Sequence, residues 1–161
     1  MKKLEKLSLK QMEQEMPVIG SEEQYSLKGG EVTLVFDRSD SMIYIMVDGI
    51  TVESHTAHNI VDSSSQGQWS NGSYSMYDSI NPYTHSDDAF DSSYGTHGIY
   101  RANPFYDSNG CYRTGMGIHS GRSDNTSHPT MGCIRTTDAA MANIKCYAGS
   151  YGGVTSIIVQ D

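Results

Sequence analysis

Residues 115–144 read GMGIHSGRSDNTSHPTMGCIRTTDAAMANI, running from a strand end through a polar loop and a tight turn into a helix. The pattern predicts a strand over Thr114–Ile118, which gives His119 a rigid mount. Gly132-Cys133 predicts a tight turn just before the apolar Ile134. Thr137 with Asp138 is a helix start, Met141 and Ile144 are spaced i, i+3, and Gly149 is a C-cap candidate. A catalytic cysteine needs a base within reach, a group that orients the base, and donors for an oxyanion. This stretch offers all three. His119, on its strand end, is the base, and Gly132 lets N–H groups around Cys133 converge on one oxygen. A neighbouring imidazolium would also stabilise the thiolate.

His119, then Thr130-Met131-Gly132-Cys133-Ile134-Arg135, resembles the His…[Ser/Thr]-x-Gly-Cys-apolar-Arg signature of L,D-transpeptidases, the YkuD-type catalytic domain. In that family a cysteine attacks a peptidoglycan stem peptide at the bond between a diamino acid and a terminal D-alanine. A thioester forms, and an amine or water resolves it. The resemblance implies Cys133 as nucleophile, His119 as base and the Ser120 carbonyl as its orienting group. It also implies an oxyanion hole from the Gly132 and Cys133 N–H groups. Arg135 would brace the loop or meet a substrate carboxylate, and Thr130 and Met131 would line the substrate site. An acidic body needs a local cation to receive that carboxylate, and of the two arginines in the motif region Arg122 is favoured over Arg135. No cofactor is implied. Met131 stands where many members have a second histidine, and the spacer from His119 to Thr130 is short. A short spacer, the early hairpin and the Gln68–Tyr74 segment around Gly72 resemble the branch of antibacterial type VI effectors.

Other readings use the same residues. His97-Gly98 leads to Ser108-Asn109-Gly110-Cys111-Tyr112-Arg113 with the same fourteen-residue interval from His to Cys. The second site is favoured, because Ile118 and Ile134 anchor it and a capped helix follows. His119, Asp124 and His128 form HxxxxDxxxH, which could hold zinc in a peptidoglycan peptidase and would leave Cys133 without a job. His55 and His58 form an HxxH that reads as coincidence rather than a ligand pair. With Cys133 catalytic, Cys111 and Cys146 remain, as a disulfide or as two unpaired buried thiols, the unpaired reading slightly ahead.

Upstream, the pattern has period two. Val32–Phe36 and Met42–Val47 are strands, and Asp48-Gly49 is a hairpin signal leading into Ile50–Glu53. Residues 62–96 hold ten serines among Gly, Asn, Asp and Tyr, and read as loops around one short strand, Gly72–Met76. Val154–Val159 closes the chain as a buried strand. The fold expected is mostly β with minor α: an L,D-transpeptidase-like sandwich or barrel with one main helix after the cysteine.

Residues 1–30 differ in kind. They hold five lysines and five glutamates, so the remaining residues carry the whole net charge of −8. Leu9, Met12 and Met16 make one apolar stripe on a short charged helix, which Pro17 ends. The segment closes at Gly29-Gly30. It resembles the double-glycine leaders of Bacteroidetes-type bacteriocin-like precursors, which a peptidase-containing ABC transporter grips and cuts after the second glycine. The implied organisation is a leader over 1–30 and a catalytic domain over 31–161, secreted after cleavage, with a toxin role and an immunity protein as partner. A leader-bearing bacteriocin acting by binding alone is the non-enzymatic alternative. The acidic body lacks a Lys/Arg stripe, which argues against nucleic acid and anionic membrane surfaces as partners. No stretch approaches the roughly 18 apolar residues of a membrane span. The N-terminus also lacks the uninterrupted apolar run of a Sec-type signal.

Overall fold

The computed structural model describes residues 30–86 and 89–161. Gly29 and the predicted leader helix with Leu9, Met12, Met16 and Pro17 lie outside them. Strands β1 (Val32–Asp37) and β2 (Met42–Val47) pair antiparallel, and Asp48-Gly49 turns β2 into β3 (Ile50–His58). Both turn residues have positive φ, 52° and 77°, as a two-residue hairpin that matches strand twist requires. β3 extends five residues past the expected Glu53. Its later residues pair with β9 (Ile134–Thr136), where Ala57 meets Thr136.

Five strands lie between β3 and β9 in the chain. β4 (Gly72–Ser75) ends one residue before the expected Met76, which forms a single bridge to Ala102 instead. β5 (Ile99–Arg101), β6 (Phe105–Tyr106) and β7 (Tyr112–Arg113) are too short to carry a period. β8 (Gly117–His119) lies later than the expected Thr114–Ile118 and includes the histidine itself. After β9, helix α1 (Asp138–Tyr151) begins as expected at Thr137, whose side chain accepts the Ala140 N–H at 3.1 Å. It ends later than Gly149. Gly152 takes the left-handed conformation of the C-cap at φ 85°, and Gly149 is an ordinary helical residue. β10 (Val154–Gln160) closes the chain parallel to β1.

Eight strands form one sheet in the order β4-β10-β1-β2-β3-β9-β8-β5, and β6 with β7 forms a separate ribbon. The sheet curls into a half-barrel. The bridge between Met76 and Ala102 draws its two edge strands together. Period-two alternation turns Leu34, Phe36, Ile43, Ile45 and Ile157 inward, where they share a core with Met141, Ile144 and Ala148 of α1. Burying one such aliphatic side chain is worth about 1.5–3 kcal/mol. Trp69 fills the barrel beside Tyr74 and Phe105, at ring distances of 5.1 and 5.6 Å.

Candidate active site

β8 and β9 run parallel, with Ile118 opposite Ile134 and His119 opposite Arg135. Ile118 and Ile134 both join the core, so alternation turns His119 and Arg135 to the other face. Cys133 sits two residues before Arg135 and shares that face. Side chains from both strands and the loop between them line one cleft of about 340 Å³ that holds His119, Cys133, Arg122, Arg135, Thr130 and Met131 together.

His119 is buried, and its Nδ1 lies 2.8 Å from the Ser120 carbonyl oxygen. A carbonyl can only accept, so Nδ1 carries the proton and Nε2 keeps its lone pair in the neutral ring. Burial pushes the imidazole down to about 4, helped by the Arg135 charge, while the Ser120 and Ser93 carbonyls pull the other way. Burial likewise pushes the Cys133 thiol up to about 11, against a Gly117 N–H aimed at the sulfur and the charges of Arg135 and Arg113. The resting pair is therefore thiol and neutral imidazole. This differs from the expected imidazolium beside a thiolate, because burial outweighs the nearby charges. The thiol donates to the Gly115 carbonyl at 3.7 Å, and Tyr94 stands edge-on to the His119 ring at 5.2 Å.

The cysteine turn is held by its own hydrogen bonds. Thr130 Oγ1 donates to the Cys133 carbonyl at 2.7 Å and accepts the Gly132 N–H at 3.1 Å. The Gly132 N–H and the Thr130 hydroxyl thus both bond within the turn. The Gly117 N–H lies beside the Cys133 sulfur. Gly132 has φ 132°, and a Cβ there would lie 2.7 Å from Arg113 Nη2, so the turn requires glycine. Met131 is exposed at the cleft rim. Arg135 braces the loop through two of its nitrogens: Nη1 donates to the Ser120 carbonyl at 2.6 Å and to the Ser93 carbonyl at 3.3 Å, and Nε donates to the His128 carbonyl at 3.1 Å. Arg122 is exposed, with one bond from Nη2 to Ser93 Oγ at 3.1 Å, and is the freer cation.

Residues without a local signal complete the site. Buried Asn59 donates through Nδ2 to the Gly132 and Cys133 carbonyls at 2.8 and 2.9 Å, and its Oδ1 accepts the Trp69 N–H at 2.8 Å. Behind the turn, buried Arg113 pairs with Asp107 at 3.2 Å and donates to the Gly67 carbonyl at 2.8 Å. Asp138 accepts the Ser120 hydroxyl. Only spatial proximity links these residues to Cys133, and no spacing rule reveals them.

The alternatives meet different geometry. Cys111 is exposed on the turn of the β6–β7 ribbon, where its N–H donates to Asp107 Oδ1 at 2.9 Å, and it lines no part of the cleft. Cys111, Cys133 and Cys146 are all free thiols, and Cys111 and Cys146 are exposed rather than buried. Among the described residues no three His, Cys, Asp or Glu side chains come together as a metal site. Asp124 instead accepts the Asp138 N–H at 2.6 Å, and His128 faces the Pro129 carbonyl at 3.1 Å. His55 pairs with Glu53 at 3.0 Å and His58 with Thr126 at 3.1 Å.

No family model matches the sequence, and no curated protein matches it. Solved structures do. The helical cell shape determining protein Pgp2 from Campylobacter jejuni superposes with a TM-score of 0.60 at 14% identity, over 83% of this chain and 48% of that one. L,D-transpeptidase 3 from Mycobacterium tuberculosis, in complex with a faropenem-derived adduct, gives 0.50 at 15% identity, over 83% and 61%. The chain thus spans 48% and 61% of the lengths of these two structures. At such identities the likeness is one of fold, and the fold is that of the L,D-transpeptidases.

Proposed function

We propose that this chain is a cysteine acyltransferase acting on peptidoglycan stem peptides, with Cys133 as nucleophile and His119 as base. The observation that carries the reading is a thiol and a neutral, tautomer-fixed imidazole facing one cleft from adjacent strands. His119 Nε2 takes the thiol proton as sulfur attacks the carbonyl carbon, and the oxyanion forms near the Cys133 and Gly117 N–H groups. Collapse breaks the C–N bond, the imidazolium returns its proton to the leaving D-alanine amine, and a thioester remains. An amine or water then attacks the thioester and the sulfur leaves as thiol. Coupling proton transfer to attack suits a buried pair that stays neutral at rest. Arg122, exposed at the cleft, suits the terminal carboxylate of the stem, which guanidinium holds with two parallel hydrogen bonds.

The test is incubation of the protein with purified sacculi, followed by mass spectrometry of the muropeptides. Loss of D-alanine or new cross-links, abolished in Cys133→Ala and unaffected by EDTA, is the expected result. Unchanged muropeptides would favour a bacteriocin acting by binding, and inhibition by chelator with a fully active Cys133→Ala would favour zinc.

Export belongs to the same reading. Residues 1–30 would serve as a double-glycine leader for a peptidase-containing ABC transporter, and the released domain would act outside the cell as an antibacterial toxin with a dedicated immunity protein. Supporting the cut after Gly30, Glu31 is tied into the sheet. Its N–H donates to Asp48 Oδ1 at 2.9 Å and its carbonyl accepts the Asp48 N–H at 3.1 Å. Intact-mass analysis of exported protein should find a mature chain starting at Glu31. Export with residues 1–30 attached would rule out the leader role.

A further inference from the structure

The cleft around Cys133 holds charges of both signs that are not paired with each other. Arg122 and Arg135 line it as cations and Asp62 as a carboxylate. Ion pairs among the described residues join Arg38 to Asp161, His55 to Glu53, Arg101 to Asp78 and Arg113 to Asp107, and none includes Asp62. Leaving opposite charges apart in a single cleft suits a ligand that carries both signs itself.

Asp62 is also fixed relative to the nucleophile. Its N–H donates to the Thr130 carbonyl at 2.9 Å, and the preceding Val61 bridges Thr130, three residues before Cys133. On the same loop, Ser65 Oγ donates to the Met131 carbonyl at 2.9 Å. The carboxylate is oriented too, since the Ser64 N–H donates to Oδ1 at 2.7 Å and the Ser64 hydroxyl binds the same oxygen. These bonds leave Oδ2 without a hydrogen bond to any described residue. They also favour the ionised form, holding the carboxyl below its ordinary value.

We propose that Asp62 is a specificity-determining residue, receiving a side-chain ammonium on the substrate residue whose carbonyl Cys133 attacks. This role rests on reading the cleft as an acyl-transfer site for stem peptides. The stem peptides of that reading already carry a cationic side chain at the attacked residue and a free carboxylate at the C-terminus. Asp62 holds the first charge and Arg122 faces the second.

The experiment compares two synthetic stem tetrapeptides that end in D-alanine and differ only at the third residue, lysine against Nε-acetyllysine. D-Alanine release and the mass of the acylated full-length protein are followed for native chain and Asp62→Asn. The native protein should favour the lysine peptide by about tenfold in kcat/KM, mainly through KM, as an exposed charge-assisted contact allows. Asp62→Asn should bring that ratio close to one, and salt at about 0.5 M should narrow it in the native protein by screening. Acylation of Cys133 by both peptides at equal rates would overturn the assignment of Asp62 and leave the acyltransferase reading standing. An undiminished lysine preference in Asp62→Asn would do the same. Acylation by neither peptide would overturn the reading of the site and Asp62's role with it.

Discussion

Burial moves His119 and Cys133 in opposite directions from their ordinary values. An ordinary histidine titrates near 6.5, and here the folded state holds it at about 4. Between those values the unfolded chain binds the proton first, so this contribution to stability is complete above pH 6.5 and lost as pH falls towards 4. The shift corresponds to about 3 kcal/mol. Denaturant unfolding from pH 7 to pH 4 should show that loss, and His119→Asn should remove most of it. The thiol moves the other way. With its value at about 11, Cys133 should alkylate slowly with iodoacetamide at neutral pH, its rate rising about tenfold per pH unit towards 11. The exposed Cys111 and Cys146 should react first. A Cys133 rate that levels off near pH 8 would contradict the buried-thiol account.

At the scale of elements, the site is two short parallel strands, a loop and a turn, locked from behind by Asn59. Removing its amide leaves the Gly132 carbonyl and the Trp69 N–H without their partner and weakens the hold on the Cys133 carbonyl. Asn59→Ala should therefore cost about 3 kcal/mol in urea unfolding. It should also lower turnover by more than tenfold, by freeing the cysteine turn. A variant with native stability and rate would show that Thr130 alone holds the turn. Elements with a long period or strong punctuation are legible in the sequence: β1, β2, the Asp48-Gly49 turn, the start of α1 and most of β10. The three-residue strands β5, β8 and β9 offer too few positions for alternation, which leaves β5 and β9 invisible to it and places β8 too early. The end of α1 is ambiguous in sequence because Gly149 and Gly152 look alike there, and only Gly152 takes a positive φ.

At the scale of the whole molecule, a curled sheet closes over a core built by alternation and leaves the cleft on the opposite face of β8 and β9. The motif residues His119, Gly132 and Cys133 are legible because the proposed cysteine chemistry would restrict residue type at a nucleophile, a base and a turn. Asn59, Ser93, Asp107 and Arg113 are not, since buried hydrogen bonds between distant loops leave no trace in spacing. The central claim is that the Cys133 sulfur forms a covalent thioester with a stem peptide, and intact-protein mass spectrometry tests it most directly. Incubating the protein with a stem tetrapeptide ending in D-alanine and quenching with acid should give one adduct equal to the peptide less D-alanine. Proteolysis should map that adduct to Cys133, and it should be absent from Cys133→Ala and greatly reduced in His119→Ala. Turnover of the peptide by Cys133→Ala, or an adduct on Cys111 in the native protein, would contradict the account.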